Sequence, residues 1–191
     1  GIEYGADAAN YAEVQDLIIA GDAVIGAHVR DLFTDTVHNL HAAVTINATG
    51  PWADILLSQL RGRKHHGLIR SKGIHIITRS LNRDRGITLQ TPKGRHFFIL
   101  PWRGHSLIGT TDKMYKGHPD AFRVTEADIK GLIDEVNESY PSARLTRDDV
   151  LFQYGGLRPI VEKETSVEIE VYDASRKYEI YDHAADDQIQ G

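Results

Sequence analysis

Residues 72–112 read KGIHIITRSLNRDRGITLQTPKGRHFFILPWRGHSLIGTTD. Four short apolar runs lie in this stretch, at 74–77, 87–89, 96–100 and 106–109, and turn-forming residues separate them. Short runs that recur about every ten residues are typical of antiparallel strands joined by tight connections. The stretch therefore predicts a meandering antiparallel sheet.

A single clear helix is predicted after these strands. Thr125 and Asp128 have the spacing of a capping box, and Pro141 ends the pattern. Apolar residues recur at helical spacing between those limits: Ile129, Leu132, Ile133, Val136 and Tyr140. The opposite face is charged, so we expect the helix to lie on the sheet and to expose one side. Further strands are predicted at 150–154, 167–171 and 177–181, which gives an α+β fold class.

The residues before this stretch predict a smaller β-rich part. Strands are expected at 14–19 and 23–32, followed by a buried strand at 41–49, which together form a β-meander. Gly50 and Pro51 interrupt the last strand, and Pro51 suits the first turn of a helix over 52–60. Such a junction can bind an anion at the start of the helix, although most such junctions are only structural.

Composition excludes several classes of site. The 191 residues contain no cysteine, which rules out disulfides, cysteine-based metal sites and a thiol nucleophile. The histidines follow no metal-binding pattern, so no metal is predicted. No apolar run approaches the roughly 20 residues that cross a bilayer. The net charge of −5 argues against a nucleic-acid partner. Since the only methionine is Met114, we expect the chain to be a section of a longer protein.

Positive charge is concentrated in residues 61–103. Every ionisable side chain there is basic except Asp84 and the histidines. Such an excess can attract a phosphorylated small molecule, a dinucleotide or lipid headgroups. It can equally be a solvated face that the acidic remainder of the chain balances, and the sequence leaves both interpretations open.

A few polar residues lie where chemistry is plausible. His75, inside an apolar run, is either a satisfied interior imidazole or an acid–base group. Arg158 follows two glycines, and it can clamp a phosphate or carboxylate or pair with a neighbouring acid. Residues 109–112, with the sequence GTTD, offer hydroxyls and a carboxylate, or form an ordinary turn. From the residues alone, the prediction is a mixed domain with an anion-attracting face.

Six short segments resemble one enzyme family. Residues 46–54 (INATGPWAD) resemble a flavin-contact motif of the FAD-dependent oxidoreductases related to D-amino-acid oxidase. Five more follow in order: 71–75 (SKGIH), 98–102 (FILPW), 108–112 (IGTTD), 145–150 (LTRDDV) and 154–159 (YGGLRP). Jointly they resemble the glycerol-3-phosphate dehydrogenase branch of that family, over nearly the whole chain.

The resemblance implies a domain plan. Residues 1–62 are expected to be a truncated part of an FAD-binding domain, 63–181 a substrate-binding domain, and 182–191 a return segment toward the FAD domain. The family holds the FAD pyrophosphate with a Gly-x-Gly-x-x-Gly unit, which this sequence lacks. We therefore expect the chain alone neither to hold FAD tightly nor to turn over.

The resemblance also implies an activity and its residues. The parent enzyme would oxidise sn-glycerol 3-phosphate to dihydroxyacetone phosphate, with hydride transfer to FAD and electrons passing to quinone. His75 is implied as general base, and Arg158 as the group that orients the anionic substrate. Lys72 and Tyr154 join Arg158 as implied substrate-binding residues. The implied cofactor-binding residues are Val14, Thr49, Gly50 and Trp52.

Two alternatives stay open. One is a glycerophosphate oxidase with the same pocket and oxygen as acceptor. The other is a cofactor-free module that binds phosphorylated ligands or acidic partners. For the leading interpretation we expect a cytoplasmic protein, peripheral on the inner face of the cell membrane, where quinone is found. Exposed sheet edges could also pair chains into oligomers.

Overall fold

A computed structural model describes residues 1–58, 60, 68–161 and 178–186. The chain divides into two compact units, one formed by Gly1–His66 with Tyr178–Gly191 and the other by Gly67–Lys177. The predicted strand at 167–171 lies outside the described residues. Residues 178–181 form no strand, so the prediction there is wrong, and a short helix, His183–Asp186, follows them.

The first unit contains a three-stranded antiparallel sheet. Its strands β1 (Ala12–Ala20), β2 (Ala23–Asp31) and β3 (Val37–His41) lie side by side in chain order. The two predicted strands at 14–19 and 23–32 are confirmed. The predicted helix is also confirmed but short: a 3-10 turn (Gly50–Trp52) with Pro51 near its start leads into α1 (Ala53–Leu57).

The buried strand predicted at 41–49 is wrong. Only His41 belongs to a strand, and Val44 and Ile46 are 68% and 84% exposed. A strand needs a neighbour for its backbone hydrogen bonds. The edge of β2 is taken by β3, whose pairing ends with a bond from the Ala42 N–H to the Ile25 carbonyl, and no described strand pairs with residues 43–49. A β-branched apolar run therefore stays without regular structure here.

The second unit is an antiparallel sheet with β4 near its centre. The strands are β4 (Leu68–Thr78), β5 (Ile87–Gln90), β6 (His96–Trp102), β7 (His105–Gly109), β8 (Lys113–Tyr115) and β9 (Val150–Val161). The predicted meander is confirmed for β5, β6 and β7, whereas the first of its four predicted strands, within β4, pairs with β7 and not with β5. Along one edge of β4 run β7 and then β8, and β9 pairs along its other edge. The α+β fold class is confirmed.

One helix, α2 (Glu126–Ser139), covers one side of this sheet. The predicted capping box is present, because Thr125 and Asp128 exchange hydrogen bonds at its start. Ile129, Leu132 and Val136 of α2 are buried with apolar residues of the strands, among them Ile74, Ile76, Phe97, Ile99 and Ile108. This core fixes the orientation of β4 and its neighbours.

Alternation along the strands gives the sheet two different sides. Ile74 and Ile76 are fully buried and point toward α2, so we call this side the helix face. His75 lies between them in sequence and therefore points to the opposite side. By register Phe98, Tyr154 and Phe152 lie on that same side, and all three are exposed. We call it the open face.

Candidate active site

His75 lies at the middle of the open face. Its neighbours across the sheet are Tyr154 on β9 and Gly109 on β7. The rings of His75 and Tyr154 are stacked, with centroids 5.0 Å apart and planes 7° from parallel. On the β7 side the imidazole occupies the space that a side chain at Gly109 would fill, since a Cβ there would lie 2.8 Å from the ring atoms Cγ and Nε2. The imidazole thus lies between the Tyr154 ring and the backbone of Gly109, which has no side chain.

The surroundings of His75 favour its neutral form. Burial lowers its pKa below the ordinary value of 6.5, and the positive charge of Arg158 lowers the pKa further. No hydrogen bond to its ring nitrogens comes from the described part of the chain. A neutral imidazole with a free nitrogen can accept a proton from a bound hydroxyl group.

Arg158 lies on the same face, four residues beyond Tyr154 on β9. Its guanidinium extends over Gly73 of β4, where a Cβ would lie 2.6 Å from Nη2 and 2.7 Å from Nη1. Nη2 donates to the Thr110 hydroxyl at 2.9 Å, and Nη1 donates to the Thr111 carbonyl at 3.3 Å. Glycine at 73 is therefore what leaves room for the guanidinium.

The guanidinium keeps spare hydrogen-bonding capacity. Arginine carries five N–H donors in one plane. Two of those of Arg158 are used by Thr110 and Thr111, and the other three meet no acceptor among the described residues. Two parallel donors of an arginine match two oxygens of a phosphate or carboxylate. Arg158 is thus equipped to bind an oxyanion beside the His75 ring.

Residues 110–112 contact Arg158, which favours the first of the two interpretations that the sequence left open for them. β4 pairs with β7 up to His75 and with β8 from Lys72, so the ladder lapses at Gly73 and Ile74. The Ile74 N–H donates instead to the Thr111 hydroxyl at 3.1 Å. The polar run seen in the sequence indicated this segment, but only the strand register brings it to Arg158.

Lys72 lies on the helix face, away from the other implied substrate-binding residues. Its Nζ is 2.7 Å from the Asp128 carboxylate at the start of α2. Burial alone would raise the pKa of Asp128, but hydrogen bonds from Lys72 and Thr125 outweigh it, and the pKa is lowered. The pair joins α2 to the sheet, and this placement gives the implied substrate role of Lys72 no support.

The implied cofactor-binding residues all lie in the first unit. Val14 is on β1, the edge strand of its sheet, opposite Val29. The backbone N–H and the hydroxyl of Thr49 both donate to the Asn47 side chain, which ties this turn to α1. Gly50 follows with a φ of 59°, a conformation that glycine adopts without strain. Trp52 is 42% exposed next to it.

Part of the basic segment is neutralised by neighbouring acids. Lys72, Arg79 and Arg95 pair with Asp128, Asp149 and Glu135, which fits the balanced interpretation for these three cations. The side chains that stay exposed without an ion pair in the described ranges include Arg83, Arg85 and Lys93. From residue 68 onward the segment is therefore not one continuous anion-binding surface.

The described residues contain neither a cluster of metal ligands nor a membrane-spanning helix. No group of three or more His, Asp or Glu side chains there could hold a metal ion. None of the helices in that part of the chain has the length and apolar character needed to span a bilayer.

Comparisons with known proteins agree with one family. The family described as FAD dependent oxidoreductase matches residues 2–173. The chain is similar to the aerobic glycerol-3-phosphate dehydrogenase of Bacillus subtilis, with 30% identity over 94% of this chain and 32% of that protein. It is also similar to an alpha-glycerophosphate oxidase of Streptococcus pyogenes, with 32% identity over 82% of this chain and 27% of the relative.

A solved structure gives the same result. The glycerol-3-phosphate dehydrogenase of Bacillus halodurans, crystallised with FAD, superposes with a TM-score of 0.76 and 36% identity. The match covers 84% of this chain and 33% of that structure, so the chain spans about a third of the relatives it matches. The chain belongs to the family of FAD-dependent oxidoreductases.

Proposed function

We propose that this chain is a section of a flavoenzyme that oxidises sn-glycerol 3-phosphate to dihydroxyacetone phosphate. In this proposal residues 63–181 are the substrate-binding domain, 1–62 are part of the FAD-binding domain, and 182–191 return toward it. The similarity to named glycerol-3-phosphate dehydrogenases supports it. The observation that carries it is the shared face of His75 and Arg158, which joins a proton acceptor to an oxyanion clamp.

Each side chain has a defined task in this reaction. Arg158 binds the substrate phosphate through its spare N–H donors, which orients the carbinol. A ring nitrogen of His75, neutral near pH 7, accepts the proton of the carbinol hydroxyl. Tyr154 stacks on the imidazole and limits its rotation while it borders the substrate. Bound FAD would supply the acceptor for the hydride of the carbinol carbon.

The first unit has features that suit contact with FAD. β1 is an edge strand, so its backbone near Val14 can meet an adenine ring. A Cβ at Gly50 would meet no atom within 4 Å, so the turn beside Thr49 is open to a ligand. The exposed Trp52 indole offers a flat apolar surface there. We assign these four residues to FAD in the full-length protein, and we expect the chain alone not to hold it tightly.

Quinone is the proposed electron acceptor. Exposed cations such as Arg83, Arg85 and Lys93 support a peripheral position at the anionic inner face of the cell membrane, on the cytoplasmic side. Oxygen is the rival acceptor, and the similarity to an alpha-glycerophosphate oxidase favours it. Exposed sheet edges are compatible with self-association of the full-length protein.

The test is a flavin absorbance spectrum of the full-length protein, followed by dye reduction with glycerol 3-phosphate. A yellow protein that reduces the dye is expected. A colourless protein that binds the phosphate ester without turnover would instead indicate the cofactor-free module. Hydrogen peroxide production in air, compared with reduction of a quinone analogue without air, then distinguishes the two acceptors.

A further inference from the structure

A buried carboxylate lies next to the arginine of the candidate site. Asp112 Oδ1 is 3.8 Å from Nη1 of Arg158, and the Asp112 side chain is 5% exposed. We propose that Asp112, together with Ser71, is a positioning residue that fixes the Arg158 guanidinium for binding of the substrate anion. This inference rests on the function proposed above.

Ser71 holds the carboxylate from the neighbouring strand. It is fully buried, and its hydroxyl donates to the same Oδ1 atom that approaches Arg158. This bond joins residues 41 positions apart in sequence, which a local turn cap does not do. A buried carboxylate is stable only with compensating charge and hydrogen bonds. Ser71 and Arg158 supply both, so the three side chains form one connected unit.

The contacts of Arg158 fix the plane of its guanidinium group and not only the position of one nitrogen. Nη2 is anchored on the Thr110 hydroxyl, and Nη1 is anchored on the Thr111 carbonyl beside Asp112. Because the guanidinium is planar, two anchored atoms define the direction of its remaining donors. A bidentate contact loses little rotational freedom when the donors are already oriented. Asp112 adds an ion pair to Nη1 and would act on the substrate through Arg158, without touching it.

Two effects of Asp112 oppose each other. Its negative charge weakens the attraction of Arg158 for an anion, while its contact keeps the guanidinium in place. The Arg158 side chain is 32% exposed, so solvent screens the first effect at the surface where the anion binds. The Asp112 part of the second effect is lost when an amide, which presents N–H donors to the guanidinium, replaces the carboxylate. Among the described residues, Thr110 and Thr111 alone then hold Arg158. We therefore expect weaker substrate binding in the variant.

The kinetic test compares Asp112→Asn with Asp134→Asn in the full-length protein. Asp134 lies on the exposed side of α2, paired with Lys130, and provides the same chemical change away from the site. Asp112→Asn should raise KM for glycerol 3-phosphate about tenfold or more, because bonds to charged groups contribute that much. The kcat should change much less, and Asp134→Asn should change neither. An unchanged or lowered KM in Asp112→Asn would overturn the proposal.

A double-mutant cycle separates positioning from a general structural effect. In an Arg158→Ala background, Asp112→Asn should no longer change kcat/KM, since the group through which it acts is gone. An equal loss in both backgrounds would contradict the proposal. If Asp112→Asn fails to fold, Ser71→Ala serves in its place: we expect a smaller rise in KM, which also disappears without Arg158.

A measurement without turnover distinguishes this inference from the proposed function. In full-length protein labelled with ¹⁵N at arginine, a held guanidinium should give separate Nη–H resonances for Arg158. These should merge in Asp112→Asn and persist in Asp134→Asn. If wild type shows this pattern but does not oxidise glycerol 3-phosphate, the proposed function fails and the positioning role stands. Identical resonances in wild type and Asp112→Asn would reject the positioning role alone.

Discussion

The two faces of the β4–β9 sheet differ in what their side chains meet. On the helix face Ile74 and Ile76 are fully buried against α2. On the open face His75 is only half-buried, and Phe152 is 58% exposed. The same strands thus provide a packed core on one side and a reactive surface on the other. The helix face holds the geometry rigid, so polar groups on the open face keep fixed positions.

The cations Lys72 and Arg158 differ in the same way as the two faces on which they lie. Lys72 pairs with a buried carboxylate on the helix face and joins α2 to the sheet. Arg158 also has an acid nearby, but at 3.8 Å, and it keeps donors to spare. Lys72 is committed to a structural ion pair, whereas the free donors of Arg158 lie on the open face and are suited to bind a ligand.

The largest expected effect is on catalysis at the open face. His75→Asn in the full-length protein should lower kcat by about 10²- to 10⁴-fold, because the proton acceptor is lost. The flavin spectrum and the thermal midpoint should stay close to wild type. His105→Asn, at the exposed start of β7, is the matched control and should retain turnover. Full activity in His75→Asn would refute its assignment as base.

Substitutions on the helix face should lower the free energy of unfolding more than substitutions on the open face. Leu132→Ala should lower the free energy of unfolding by about 2–5 kcal/mol, because it removes a fully buried side chain and leaves a cavity. Phe152→Ala on the open face should lower it by less than about 1 kcal/mol, since that ring is largely exposed. Urea unfolding measures both. Equal losses would mean that the open face is as well packed as the helix face.

Two glycines offer a smaller and more specific comparison. A Cβ at Gly73 would meet the tip of Arg158, which can move, so Gly73→Ala should raise KM about tenfold with little loss of stability. A Cβ at Gly155 would lie 2.9 Å from the Gly73 carbonyl and 3.0 Å from the Phe122 ring. Gly155→Ala should therefore cost about 1–3 kcal/mol of stability through overpacking. If Gly73→Ala instead lowered stability in urea unfolding and Gly155→Ala raised KM, the roles assigned to the two glycines would be wrong.

The smallest expected effect is a shift in the pH profile. The pKa of His75 is lowered by burial and then by Arg158, so kcat/KM should fall with decreasing pH at a midpoint below 6.5. Arg158→Met should move the midpoint upward, but not fully to 6.5, because burial remains. The unfolded chain binds this proton more readily than the folded one, so the contribution of His75 to stability decreases as the pH falls from about 6.5 through the folded pKa. A midpoint above 6.5 in wild type would contradict the described environment.

The sequence predicted the elements whose signals are local. The capping box and apolar spacing sufficed for α2, and the spacing of apolar runs sufficed for the β5–β7 meander. The strand prediction at 41–49 is wrong because a β-branched pattern does not show whether a partner strand is available. The substrate role of Lys72 came from the family resemblance, and the apolar run at 74–77 did not show on which face of the sheet Lys72 lies. Since β4 in fact begins at Leu68, Lys72 and His75, three residues apart, point to opposite faces.

The site itself depends on register, which the sequence does not encode locally. His75 and Arg158 could be named from the family resemblance, and their roles stay predictions. Their common face follows from the pairing of β4 with β9. The contribution of Thr110 and Asp112 depends on where β7 ends and β8 begins along β4. Each of these is a long-range pairing that only the folded chain defines.

The most direct test of the open face as the substrate site is equilibrium binding of dihydroxyacetone phosphate to the full-length protein. Calorimetric titration would compare wild type with Arg158→Lys and Arg147→Lys. Arg147 makes a bidentate pair with Glu126 and controls for the same substitution elsewhere. Arg158→Lys should raise the Kd about 10- to 100-fold, because a lysine cannot reproduce the paired donors, whereas Arg147→Lys should leave it unchanged. An unchanged Kd in Arg158→Lys would contradict the account.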